Sequence, residues 1–288
     1  MLMYGTNITE HPILQYERRT DGFYFQTTHQ YIEHSKGIPL ENIQIGDEAT
    51  EKDKETIIQL LQVSRCANGK LGKALAAEMK IELLSSTPIF CRPFRMTTQD
   101  KEEACKTVAE LLEQGVIQES SSPYASPILF VPKKTGERRM CVDYQMLNKV
   151  TKCEHYLLPL IEDLLARLID CCVFSSLDLA SGYHQVSKDK EAIPKTAFVT
   201  PEGQYEYLRM SFELCNAPSV FHKLMDHVLG PLRFGKVLVY PGDVLIATVE
   251  DNLEVLKEVF RRLDQHNLCL KLKKCFFLQS KIDYLGHT

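Results

Sequence analysis

At 288 residues the chain can bury a good core and fits one large domain or two modest ones. Hydrophobic residues make up 44% of it and charged residues 25%, ordinary values for a soluble globular protein. A net charge of −4 excludes a global nucleic-acid signature, so any such footprint is local. The candidates are Lys133-Lys134 with Arg138-Arg139, and Lys271, Lys273 and Lys274; solvated surface charge is an equal reading for each cluster alone.

Residues 1–48 show no sustained period and read as a linker or the remnant of an upstream module, within a segment 1–78 that holds one short helix. That helix is expected over Glu51 to Val63, acidic at its start and then carrying Ile57, Ile58, Leu60 and Leu61. Met79 to Leu84 reads as a strand and Pro88 to Met96 as an extended arm. Thr98 can cap a helix with Asp100, Glu102 and Glu103 in its first turn, Val108, Leu111 and Leu112 on its buried stripe, and Gly115 at its stop. Ile128 to Val131 and Met140 to Val142 read as strands. Pro159 is expected to open a helix bearing Leu160, Ile161, Leu164, Leu165 and Leu168 on one side. Pro218 opens another, bearing Val220, Phe221, Leu224, Val228 and Leu229 and closed by Gly230-Pro231. Thr248 with Asp251 resembles a capping pair ahead of Leu253, Leu256, Phe260 and Leu263. Strands mixed with helices, without regular βαβ alternation, point to an α+β class with helices on one face of the sheet.

Ten cysteines at irregular spacing, with no Cys-x-x-Cys pair and no nearby paired histidines, do not form a zinc pattern. Cys171-Cys172 lie in an apolar run, where reduced core thiols are the default. No secretory segment follows Met1 and no apolar run is long enough to span a bilayer. Asn7-Ile8-Thr9 matches a glycosylation acceptor by chance in that setting. The expectation is an intracellular protein with free thiols and no membrane partner. Cytoplasm, virus-like particle and nucleus are not distinguished.

Two stretches carry the chemistry. Phe174 to Leu177 is a buried strand that delivers Asp178 at its end. The runs Val237-Leu238-Val239 and Val244-Leu245-Ile246-Ala247 flank Tyr240-Pro241-Gly242-Asp243 as the two strands of a β-hairpin. A Tyr-x-Asp-Asp turn in that setting would present two carboxylates to a metal ion, and here the first of those positions is Gly242. Pro241-Gly242 suits the centre of a type II turn, so the plain structural reading of the hairpin stands beside the chemical one.

These stretches occur in order with Arg139-Met140-Cys141-Val142-Asp143-Tyr144, Leu179-Ala180-Ser181-Gly182-Tyr183-His184-Gln185, Ala197-Phe198-Val199-Thr200-Pro201, Leu214-Cys215-Asn216-Ala217-Pro218 and Tyr284-Leu285-Gly286-His287. From about Met79 to its last residue the chain resembles the reverse transcriptase of gypsy-class long-terminal-repeat retrotransposons, an RNA-directed DNA polymerase within a Pol polyprotein. The resemblance implies a right-hand polymerase over 79–288, with an antiparallel palm sheet. Fingers would cover about 98–152 and 185–211, and palm about 153–184 and 212–288. The sequence ends where the family begins its primer grip, so a thumb, connection and RNase H region are not expected in it. Implied partners are an RNA or DNA template–primer and deoxynucleoside triphosphates, with other Pol or Gag regions as further candidates.

Nucleotidyl transfer in this family uses two Mg²⁺ ions about 3.5–4 Å apart, held by hard oxygen ligands. The resemblance assigns Asp178 and Asp243 as catalytic metal ligands, with a backbone carbonyl from Leu179. Lys134 and Arg139 match the cations that hold the incoming triphosphate. Tyr183 matches the aromatic residue beneath the sugar, although read alone it is a half-buried core tyrosine, and Phe212 belongs to the motif lining the nucleotide. Three departures stand out. Gly242 removes a carboxylate, Glu213 places bulk and negative charge where the family has glycine, and Gln145 replaces a family arginine. Three readings follow: a weakened polymerase, an inert template–primer binder, or a decayed reading frame. Magnesium-dependent primer extension separates the first from the others, and salt-dependent duplex binding separates the second from the third.

Overall fold

Local signals place most of the elements that carry the site. The computed structural model describes residues 14–19, 22–27, 43–67, 71–132, 138–157, 160–233, 235–240, 243–249 and 252–284. The first elements are β1 (Leu14–Arg19), β2 (Gly22–Thr27), β3 (Gln44–Ile45), α1 (Glu51–Val63), β4 (Glu78–Met79) and α2 (Thr98–Glu113). There follow β5 (Ile117–Glu119), β6 (Ser126–Pro132), β7 (Arg138–Val142), α3 (Gln145–Val150), α4 (Ile161–Ala166), β8 (Val173–Asp178), β9 (Ser187–Lys188), β10 (Phe198–Val199) and β11 (Gln204–Tyr207). The last are α5 (Ala217–Arg233), β12 (Val237–Tyr240), β13 (Asp243–Thr248), α6 (Leu253–Gln265) and β14 (Phe276–Gln279).

Two capping boxes start α1 and α2. Thr50 and Thr97 each accept a bond from the amide three residues on, while Asp53 and Asp100 reach back to the capping amide. The cap of α2 is therefore Thr97 rather than Thr98, because only the earlier threonine has the extended backbone that aims its hydroxyl along the helix. Asp100 also takes the guanidinium of Arg138, tying α2 to β7. Gly115, at φ +63°, stops α2 as its position in the sequence suggests.

The strands form two five-stranded sheets, in the orders β5-β11-β10-β6-β7 and β12-β13-β8-β14-β3, with the pairs β1-β2 and β4-β9 beside them. In the second sheet, α5 and α6 cover one face. Val237, Val239, Val244 and Ile246 share a core there with Phe221, Leu224, Val228, Leu256, Phe260 and Phe277. The alternate residues Leu238, Leu245 and Ala247 pack on the other face with Leu164 and Tyr284. Burial on both faces explains why these strands read as continuous apolar runs.

Several expectations need correction. Within 1–48, β1 and β2 pair, and β3 joins the second sheet parallel to β14. The strand expected over Met79–Leu84 reduces to β4, which finds only the two residues of β9 to pair with, plus a bridge from Leu83 to Thr151. α4 is one short turn-and-a-half opening after Leu160, and Leu160 itself is exposed; Pro159 lies outside the described residues. α5 continues past Gly230-Pro231 to Arg233, since a proline so near the end disturbs only the final turn, where Arg262 caps the Val228 carbonyl. Thr248 ends β13 and does not cap α6. Asn252 precedes α6 and spends its amide on the Val173 and Ile246 carbonyls and the Thr248 hydroxyl, while Asp251 lies outside the described residues. Cys171 is only partly buried and Cys172 is exposed, because they occupy the turn into β8. β5 and α3 carry too short a pattern to be read in advance. Among the described residues no helix is long and apolar enough to cross a membrane.

Beyond β8 the chain is held by a buried glutamine. Gln185 donates to the carbonyls of Ala180 and Cys269, each at 2.8 Å, and accepts the Cys269 amide at 2.7 Å. Gly182, in the same turn, lies so close to α5 that a Cβ would come 3.0 Å from Phe221. Gln185→Ala takes away the partner of the Ala180 carbonyl and of the Cys269 amide in a dry interior and should destabilise the protein by about 3 kcal/mol. Urea unfolding monitored by circular dichroism measures this, and a loss below about 1 kcal/mol would contradict the role given to the amide.

Candidate active site

The antiparallel ladder between β8 and β13 runs from Thr248 opposite Val173 to Asp243 opposite Asp178. Two carboxylates thus stand directly across from each other at the end of the sheet, on the same face, with Cβ atoms about 4.5–5.5 Å apart. The register Tyr240↔Asp243 in β12–β13 leaves Pro241 and Gly242 as the connecting pair, and both lie outside the described residues. Loss of hydration raises the Asp243 carboxyl above its ordinary range, the Asp178 charge adds to this, and the Lys274 ammonium opposes it. Lys274 Nζ lies 3.1 Å from Asp178 Oδ2. Beneath the pair, the buried Tyr284 hydroxyl has no hydrogen-bond partner among the described residues.

Leu179 sits in an antiparallel bridge with Leu270. The flanking bonds, Lys271 N–H to the Asp178 carbonyl and Ala180 N–H to the Cys269 carbonyl, leave the Leu179 carbonyl out of the ladder. Two carboxylates and this carbonyl are hard oxygen donors that fit one magnesium ion, which commonly binds through one or two carboxylates with water and phosphate completing its shell. Among the described residues no group of three or more His, Cys, Asp or Glu gathers.

Shortly after Asp178 in the chain, Tyr183 enters a stack of rings and a cation. The Arg139 guanidinium sits 4.5 Å over the Phe212 ring, Phe212 lies 5.0 Å from Tyr183, and Tyr183 lies 5.1 Å from Phe221. Arg139, Tyr183 and Phe212 are therefore brought together from three distant segments. Lys133 and Lys134 lie outside the described residues. The loop holding Phe212 is fixed by Asn148 of α3, which donates to the Glu213 carbonyl at 2.9 Å and accepts the Cys215 amide at 3.0 Å.

Glu213 faces the same cluster. Burial raises the Cys141 thiol to about 11, and the Glu213 charge and its hydrogen bond to that thiol add to the effect while Arg139 opposes it. Behind the stack Lys188 is buried, with Nζ 2.7 Å from the Thr196 hydroxyl and 5.2 Å over the Tyr207 ring. Burial holds its ammonium well below the ordinary range, against the pull of Glu206 and Glu213. Gln145 is exposed at the start of α3. Sequence reasoning saw Lys274 only as one of a basic cluster, and gave no role to His184, Lys188 or Asn148. No spacing rule links them to the motifs, because each reaches the site through the packing of separate elements.

Residues 131–288 match the family model described as reverse transcriptase (RNA-dependent DNA polymerase). The chain is 34% identical over 284 residues to the retrovirus-related Pol polyprotein from transposon 297 of Drosophila melanogaster, covering 93% of this chain and 27% of that one. It is 39% identical over 178 residues to the transposon Tf2-3 polyprotein of Schizosaccharomyces pombe, covering 61% and 13%. The chain thus spans about a quarter or less of these relatives' length. Among solved structures, foamy viral protease–reverse transcriptase in complex with double-stranded DNA matches with a TM-score of 0.76 at 23% identity, over 88% of this chain and 45% of that one. The same protein in complex with an RNA/DNA hybrid matches with a TM-score of 0.75 at 23% identity, over 88% and 34%. At that identity the likeness establishes the right-hand polymerase fold.

The aromatic stack makes a pH prediction through His184, which lies 5.1 Å from Phe212. Burial lowers its pKa from 6.5 to about 4, helped by the charges of Lys188, Arg139 and Arg209. Between those values the unfolded chain binds the extra proton, so stability is complete above pH 6.5 and is lost as pH falls toward 4. The loss should reach about 2–3 kcal/mol and should largely vanish in His184→Gln. Denaturant unfolding of both proteins at pH 7 and 4.5 tests it, and equal pH slopes would refute it.

Proposed function

The chain belongs to the reverse transcriptase family, and on that premise we propose that it is the fingers-and-palm portion of a gypsy-class retrotransposon Pol polyprotein whose polymerase activity is impaired. The observation that carries this reading is the carboxylate pair Asp178 and Asp243, held in register beside Gly242, where the family's third carboxylate would stand. When bound, magnesium supplies Lewis-acid polarisation of the primer hydroxyl and the triphosphate oxygens. Asp178, Asp243 and the Leu179 carbonyl would hold it.

The remaining roles belong to the chain's own side chains. Arg139, braced on Phe212, offers a planar fork to the triphosphate, and Lys134 a point charge. Tyr183, packed between Phe212 and Phe221, presents a rigid face to the sugar and excludes a 2′-hydroxyl. Glu213 works against these groups, since its carboxylate adds negative charge beside Cys141 and Lys188, where a phosphate would be repelled. Two surviving carboxylates leave divalent ions facing triphosphate with too little negative charge and too few ligands. On poly-A template with oligo-dT primer, extension should run at least about a hundredfold below that of an intact family member. Gly242→Asp with a non-proline residue at 241 and Glu213→Gly should together raise magnesium and nucleotide affinity more than either part alone, because the groups share one site. Extension near the rate of an intact member would defeat the reading; unchanged affinities in the combined variant would remove Asp178 and Asp243 from the metal site.

A second reading, a catalytically inert template–primer binder, is favoured by the basic clusters of the sequence. Lys133, Lys134, Arg139 and the Lys271–Lys274 cluster would contact phosphates and release counterions. Binding of a labelled RNA/DNA duplex should be independent of sequence, with log K falling linearly against log salt. A flat salt response would remove this reading.

A further inference from the structure

Lys274 is delivered to the carboxylates by a turn anchored on Asp178 itself. The Lys271 amide donates to the Asp178 carbonyl at 2.8 Å, and the Cys275 thiol reaches the same carbonyl at 3.9 Å. The Lys274 amide closes the turn on the Lys271 carbonyl at 2.8 Å, and the Leu179–Leu270 bridge fixes the segment just before it. Among the described residues the neighbouring Lys273 makes no ion pair, whereas Lys274 Nζ stands 3.1 Å from Asp178 Oδ2.

We propose that Lys274 is a built-in counter-ion of the Asp178–Asp243 pair, and that a divalent cation reaches this pair only by displacing its ammonium. The inference rests on the reading of the two aspartates as the metal position. Like charges directly opposite on neighbouring strands repel, so the metal-free sheet gains from a cation placed between them. An ammonium is suited to a removable one. It is a point charge on a flexible stem, without the two-pronged grip of a guanidinium. The Lys274 side chain is 60% exposed and free to swing into water, while the Asp178 side chain, 24% exposed, is held at the strand end. A divalent ion at Asp178 is repelled by that ammonium twice as strongly as a monovalent one.

The test compares wild type, Lys274→Met and Lys273→Met by manganese binding, read by electron paramagnetic resonance, and by thermal melting in chelator and in excess magnesium. Lys274→Met should melt lower in chelator, bind manganese about three- to tenfold more tightly, and gain more melting temperature from magnesium than wild type. Lys273→Met should behave as wild type, and adding Asp178→Asn to Lys274→Met should abolish the tight binding. On unmutated protein with isotopically methylated lysines, magnesium should move the Lys274 resonance and leave that of Lys273 in place, which keeps the test independent of any variant's folding. Equal or weaker manganese affinity in Lys274→Met would overturn the inference while leaving the metal position standing. No manganese binding in either protein would overturn both.

Discussion

Everything at the site depends on the antiparallel pairing of β8 with β13. Six opposed pairs fix the register, from Val173↔Thr248 to Asp178↔Asp243. A slip of β13 by one residue would turn Val244 and Ile246 away from the helices and would part the two carboxylates. The register is enforced from both faces, because β13 is buried against α5 and α6 on one side and against Leu164 and Tyr284 on the other. The acids are placed by hydrophobic packing well away from them.

Charge within the pocket is in conflict. Desolvation and mutual repulsion both disfavour two ionised aspartates, and Lys274 offsets that repulsion. Glu213 acts on Cys141 and Lys188, where Arg139 opposes its effect on the thiol and burial opposes its effect on the ammonium. The stack of Arg139, Phe212, Tyr183 and Phe221 is unaffected by this conflict, since rings and a guanidinium face hold together by packing and by the ring quadrupole.

The segment before Met79 shares the core of the second sheet. Ile57 and Leu61 of α1 are buried with that core, and β3 extends the sheet beyond β14. The Cys66 amide donates to Asp264 of α6 at 2.6 Å, and the Cys66 carbonyl accepts the Leu270 amide at 2.7 Å. These bonds brace the same stretch, Leu268 to Lys271, that Gln185 grips from the other side and that presents Lys274 to Asp178.

The sequence by itself determined the fold class, the hairpin with its Gly242, the strand ending at Asp178, the span of α1 and the apolar face of α5. Such features are local or periodic, and a chain displays them without regard to its neighbours. Tertiary structure alone decided that Asp178 opposes Asp243, that Lys274 rather than Lys271 or Lys273 meets the carboxylate, and that Glu213 faces Cys141. It also decided that Thr97 caps α2, that Asn252 serves the strands before α6, that β3 exists at all and that β4 is only two residues long. The physical reason is that two-residue strands, buried amides and ion pairs gain their stability from partners far along the chain. Their signal is therefore absent from any window of sequence and appears only when the sheets are assembled.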